Sequence, residues 1–159
     1  MENQSVPFKN PFVGLRPYKP EEKSIFFGRE RQVNDLLQLL QTNRIIAMSG
    51  PSGSGKTSLI NAGLVPELLL GKNGLAGKDW VISVFRPGSN PLANLSSAIT
   101  RNNLLNPSVR VPADEALRIE TTLRNSNKGF INHYKNAEIA QKKNFLLVVD
   151  HFEDVFKYP

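Results

Sequence analysis

The sequence predicts an α/β protein, a parallel sheet with helices on both faces. Three observations carry that reading. Short apolar runs alternate with stretches of helical periodicity, one run leads straight into a glycine-rich turn, and another ends on an acidic residue. A length of 159 residues suits one core or a piece of a larger one. Apolar residues at 40% and charged residues at 21% are ordinary globular usage, which excludes wholesale disorder and low-complexity classes.

The elements follow in order. Pro7, Pro11, Pro17 and Pro20 punctuate residues 1–24, which are expected to form an extended arm that sustains no helix; residues 25–159 form the domain proper. From Glu30 to Leu40, Val33, Leu36, Leu37 and Leu40 fall at i, i+3, i+4 and i+7, the apolar stripe of a helix. Arg44 to Ser49 is a short apolar run and reads as a buried strand. Thr57 to Leu70 reads as a helix that Pro66 kinks or ends. Gly71, Gly74 and Gly77 mark a loop before a second strand, Trp80 to Phe85. Asn90 and Pro91 are a helix start, with Asn as cap and Pro in the first position, leading into Leu92, Leu95 and Ile99. Further helices are expected from Pro112 to Arg124 and from Phe130 to Gln141, and a last strand from Phe145 to Asp150.

Composition narrows the function classes. There is no cysteine, so disulfide frameworks, thiolate metal sites and cysteine nucleophiles are excluded. The start, Met1-Glu2-Asn3-Gln4-Ser5, is polar, and no stretch approaches about 18 consecutive apolar residues, which points to a cytoplasmic chain without a membrane span. The net charge of +6 raises nucleic-acid binding. Most of the excess lies in residues 45–110, with six basic against two acidic residues and no dense run, which is the pattern of a solvated surface. His133 and His151 are too isolated to form a metal site.

The strongest signal is Gly50-Pro51-Ser52-Gly53-Ser54-Gly55-Lys56-Thr57, a full match to G-x-x-x-x-G-K-[ST]. Glycines let the backbone curl closely around phosphate, and successive N–H groups form an anion nest at the start of a helix. Lys56 is expected to reach the β and γ phosphates, and the Thr57 hydroxyl to bind Mg²⁺. A second signal is Phe145-Leu146-Leu147-Val148-Val149-Asp150, which puts a carboxylate at the carboxyl end of a strand. Open α/β sheets bind ligands there, so Asp150 is the expected magnesium ligand. Glu153 or Asp154 would then polarise an attacking water, or serve as an acid at a helix start. A third signal is Ile25-Phe26-Phe27-Gly28-Arg29-Glu30, whose aromatic pair would anchor the arm on the core or flank a base.

These residues carry a resemblance. Phe26-Phe27-Gly28-Arg29-Glu30 upstream of the phosphate loop is similar to the Gly-Arg-Glu signature of STAND NTPases, the signal-transduction ATPases with numerous domains. Asn10 to Leu15, Gly50 to Leu64, Arg86-Pro87-Gly88 and Val149 to Phe156 resemble more closely the domain called novel STAND NTPase 1. The resemblance implies a P-loop NTPase that binds ATP or ADP with Mg²⁺ and acts as a nucleotide-dependent switch in bacterial signalling or defence. It implies attached WD-type or helical repeat modules as partners. It also implies nucleotide contacts from Gly50, Ser52, Gly53, Ser54, Gly55, Lys56, Thr57 and Ser58, with Phe27, Gly28 and Arg29 near the base and sugar. Two positions depart from the pattern: Gln32 stands where a second acid is frequent, and His151 follows Asp150 where related ATPases have an acid.

In related ATPases a further strand after the magnesium-binding strand lies between it and the phosphate-loop strand. The sequence therefore reads as truncated after that strand, with closure by direct pairing of those two strands or by self-association, and with poor hydrolysis expected of this chain alone. Two other readings stand beside the switch. A small-molecule kinase would need an acceptor site that the sequence does not display. An initiator-like, DNA-associated ATPase would need a helix-turn-helix or dense basic patch.

Overall fold

The computed structural model describes residues 10–71, 80–101, 114–126, 128–129, 131, 134 and 144–158. The chain divides into two compact units, Met1–Gly77 and Lys78–Pro159.

The first unit begins with the arm, and the arm is not extended throughout: Pro20–Ile25 is a 3-10 helix. Pro20 stands in its first turn, where a missing N–H costs nothing and φ is already helical. The Glu22 carboxylate accepts the Lys19 N–H at 2.8 Å and is gripped by both terminal nitrogens of Arg16, at 2.7 and 2.6 Å. Lys23 pairs with Glu67 at 2.5 Å. Tyr18 sets its ring edge against Phe26, centroids 5.3 Å apart, and its hydroxyl donates to the Pro11 carbonyl.

Helix α1, Glu30–Thr42, buries Val33 and Leu37 from the stripe that the sequence displays. The helical run that follows the phosphate loop has three parts: α2, Lys56–Ser58; a π-helical segment, Leu59–Leu64; and α3, Val65–Leu69. Pro66 does not end this run, which continues to Leu69. It stands at the start of α3, preceded by a wider turn in which the Val65 N–H reaches the Ile60 carbonyl. That register suits a residue with no N–H to give. Gly63 is the point of closest approach, since a Cβ there would lie 2.6 Å from Val33 Cγ2 and 3.4 Å from Phe26 Cε1. α1 and the phosphate-loop helix thus meet nearly backbone to side chain.

The expected strand Arg44 to Ser49 is not a strand. Residues 45–50 have no regular secondary structure, and Ile45 is 90% exposed. An apolar run becomes a strand only where a neighbour takes up its backbone hydrogen bonds.

The second unit holds the sheet. Strands β1, Trp80–Phe85, and β2, Asn144–Val149, pair in parallel, in register from Trp80 with Asn144 to Phe85 with Val149. Val81 and Phe145 face helix α4, Pro91–Arg101, and helix α5, Glu115–Asn125, around buried Ile99 and Ile119. The capping role of Asn90 is visible: its carbonyl accepts the Asn94 N–H at 3.0 Å, and its side chain lies 3.5 Å from the Ala93 N–H. The described residues of the second unit thus form a two-stranded parallel sheet with helices packed on it. The helix expected from Phe130 to Gln141 falls largely outside the described residues, as do His133, Gly74 and Gly77.

Candidate functional site

In the first unit the site is built on the phosphate loop. Gly53 and Gly55 adopt φ of +77° and +79°, left-handed values that a side chain would strain. The loop closes on itself through the Ser54 N–H, which donates to the Pro51 carbonyl at 3.2 Å. Lys56 Nζ folds back across the same turn and donates to the carbonyls of Gly50 at 2.7 Å and Pro51 at 2.9 Å. The ammonium therefore stands at the mouth of the loop with two of its three donors engaged. The Gly55 carbonyl accepts the Leu59 N–H at 2.8 Å, which begins the helical run. Ser52, Gly53 and Ser54 are solvent-facing, while Thr57 lies half-buried in the first helical turn.

Ser58 follows Thr57 in the same helical turn. Its hydroxyl is buried and accepts the Tyr18 N–H at 3.2 Å, so its side chain ties the arm to the phosphate-loop helix.

The Phe26 to Glu30 stretch divides its labour. Phe26 anchors the arm beside Gly63, whereas Phe27 is 69% exposed. Gly28 sits at φ +80°, and its N–H donates to Glu30 Oε1 at 3.0 Å. The Glu30 carboxyl is held below the ordinary carboxylate range by its own N–H and by that of Gly28. This local turn delivers Arg29 to the phosphate loop, where Nη1 donates to the Ser54 carbonyl at 3.1 Å. The Gly-Arg-Glu pattern signalled that Arg29 matters; its partner was not visible, because the two residues are 25 positions apart.

In the second unit Asp150 follows β2 directly and continues its ladder, the Asp150 N–H donating to the Phe85 carbonyl at 2.9 Å. His151 then turns the chain with φ +54°, the one non-glycine left-handed residue among those described. It opens a 3-10 helix, Phe152–Phe156. The two acids that follow are unlike. Glu153 is 58% exposed, with its carboxylate 3.1 Å from His151 Nδ1. Its own N–H and that ring hold its carboxyl below the usual range. Asp154 is buried, 2.6 Å from Arg86 Nε and 3.3 Å from Lys157 Nζ. Those two cations hold its carboxyl low, Arg86 foremost. Burial and these two cations leave Asp154 far less open to water than Glu153. No string or spacing in the sequence linked Arg86 to Asp154.

Among the described residues no three His, Cys, Asp or Glu side chains converge on one point. A nucleotide-borne Mg²⁺ needs no such cage, since it takes one or two protein oxygens plus phosphate and water. Each unit offers an oxygen donor of that kind by itself, the Thr57 hydroxyl in the first and the Asp150 carboxylate in the second.

A glycine-braced loop with a lysine at its mouth, opening a helix, defines a nucleotide-binding module of the NTPase class. The chain belongs to the novel STAND NTPase 1 family, whose model matches residues 11–159. It is also similar to the small ribosomal subunit biogenesis GTPase RsgA of Trichormus variabilis, 42% identical over 55 residues. That match covers 34% of this chain and 15% of the relative, so only a small part of the relative's length is shared. No solved structure matches.

Proposed function

We propose that the chain binds ATP or ADP with Mg²⁺ and serves as the nucleotide-dependent switch of a STAND-type signalling or defence protein. The loop from Gly50 to Thr57 carries the reading: two left-handed glycines and an engaged lysine form a cradle for a polyanion. Lys56 would exchange its two loop carbonyls for phosphate oxygens. Thr57 and Asp150 would supply oxygens to Mg²⁺, which neutralises charge on the phosphates when bound. Glu153 is the acid that remains for orienting water, and its bond with His151 makes it a guarded base, in keeping with slow turnover. Phe27, exposed beside Gly28 and Arg29, is the surface offered to the base and sugar. The seating of the arm on Ser58 couples what precedes the domain to the helix that holds the phosphates. The attached repeat modules and a cytoplasmic setting belong to this reading by family membership.

A guanine-nucleotide reading has one observation in its favour, the short match to a GTPase. The sequence lacks the guanine-reading pattern Asn-Lys-x-Asp, so we propose adenine preference. Competition against a fluorescent ATP analogue tests it. ATP should displace the analogue at lower concentration than GTP, and equal displacement would refute the preference. A phosphate-release assay on the same protein should show little steady turnover, and rapid release lost in both Lys56→Ala and Asp150→Asn would contradict the slow switch.

A further inference from the structure

Arg29 reaches the phosphate loop through a backbone carbonyl, and that choice of acceptor has a geometric effect. In a trans peptide the carbonyl of one residue and the N–H of the next point in opposite directions. A donor that holds the Ser54 carbonyl therefore also fixes the Gly55 N–H, on the side of the peptide away from Arg29. This peptide plane most needs such a hold. Gly55 has no Cβ and a left-handed φ, and a Cβ placed on it would lie 3.5 Å from Arg29 Nη1. The planes on either side are tied, by the Ser54 N–H to Pro51 and by the Gly55 carbonyl to Leu59.

Arg29 itself is fixed. Its carbonyl accepts the Val33 N–H at 3.1 Å, its preceding turn is closed by Glu30, and α1 is braced at Val33 against Gly63. Its Nε is buried without a partner among the described residues. The frame thus runs from the loop to α1 and back to the helix behind the loop.

We propose that Arg29 is a positioning residue for the phosphate loop: by holding the Ser54–Gly55 peptide it presets the Gly55 N–H for a polyphosphate before the ligand arrives. This rests on the nucleotide reading and deepens it, because it assigns the effect of Arg29 to the phosphates rather than to the base and sugar. A donor oriented in advance costs no reorganisation on binding.

The test uses the purified chain as wild type, Arg29→Ala and Arg29→Lys, each titrated calorimetrically with tripolyphosphate, ATP and adenosine. The alanine variant should weaken tripolyphosphate and ATP by the same factor, about tenfold. Adenosine should bind all three proteins alike, and lysine, which can still reach a carbonyl, should restore most of the loss. Backbone ¹⁵N relaxation without ligand should show the Gly55 amide more mobile in Arg29→Ala, with α1 amides as protected as in wild type. Loss of ATP and adenosine affinity with tripolyphosphate unchanged would overturn the proposal in favour of a base or sugar contact. An unchanged Gly55 amide would overturn it as well. If wild type binds neither ATP nor tripolyphosphate, the nucleotide reading fails by itself, and the ligand-free relaxation still decides whether Arg29 holds the loop.

Discussion

Arg86 and Asp154 are 68 positions apart in sequence, and the sheet register brings them together. Phe85 pairs with Val149 at the carboxyl ends of two parallel strands, so the residues just after each strand emerge on the same edge. The sequence displayed Arg86-Pro87-Gly88 and the acids after Asp150 as separate strings; their pairing needs the order of strands, which no single string encodes. Asp154 is 2% exposed and Arg86 57%, so removing the arginine strands a buried carboxylate that keeps only Lys157. The direction of the pH effect follows. With its folded value depressed, Asp154 contributes stability that is fully present above its unfolded value of about 3.9 and is lost as pH falls through the folded value. Arg86→Met shrinks the depression, so the protein should be less stable at neutral pH and should unfold at higher pH on acidification. Fluorescence of Trp80, the single tryptophan, reports this; superimposable acid transitions would contradict it. At the phosphate loop more was legible, because glycine spacing and Lys56 are local chemistry. The Ser58 bond to the arm was not, since it joins residues 40 apart.

Helices α1, α4 and α5 were readable because an apolar stripe or a cap is written within a dozen residues. The helical run after the loop was readable as helix, but not its π-helical centre. That centre answers to two things a periodicity cannot show: Pro66 withholds an N–H, and Gly63 must meet Val33. A methyl added at Gly63 would fall 2.6 Å from Val33 Cγ2, so Gly63→Ala should destabilise the chain by about 1–3 kcal/mol through overpacking. Val33→Ala removes the obstructing methyls, and the double variant should lose less than the two single losses combined, as measured by denaturant unfolding. Strict additivity would show that the close approach is not the cause. Residues 44–49 show the opposite failure. An apolar run of that length states that a strand is possible, while pairing is decided by distant partners, and here the run stays unpaired with Ile45 in solvent.

At the scale of the molecule, the mixture of helix and strand, the parallel pairing and the family were all within reach of the sequence, since each rests on local runs and motifs. The division into two compact units was not, because it depends on which long-range contacts form. Among the described residues no helix is long and apolar enough to cross a membrane. The charge excess that suggested nucleic acid includes Lys56, which is spent on the loop carbonyls, and Arg86, which is spent on Asp154. Nucleotide binding through Gly50 to Thr57 is the claim on which the rest depends. Calorimetric titration of Mg²⁺–ATP into wild type and Lys56→Ala, with circular dichroism confirming equal fold, tests it most directly. The variant should bind more weakly by about 1.5–3 kcal/mol, the range of one charge-assisted contact. Equal affinity in the two proteins would contradict it.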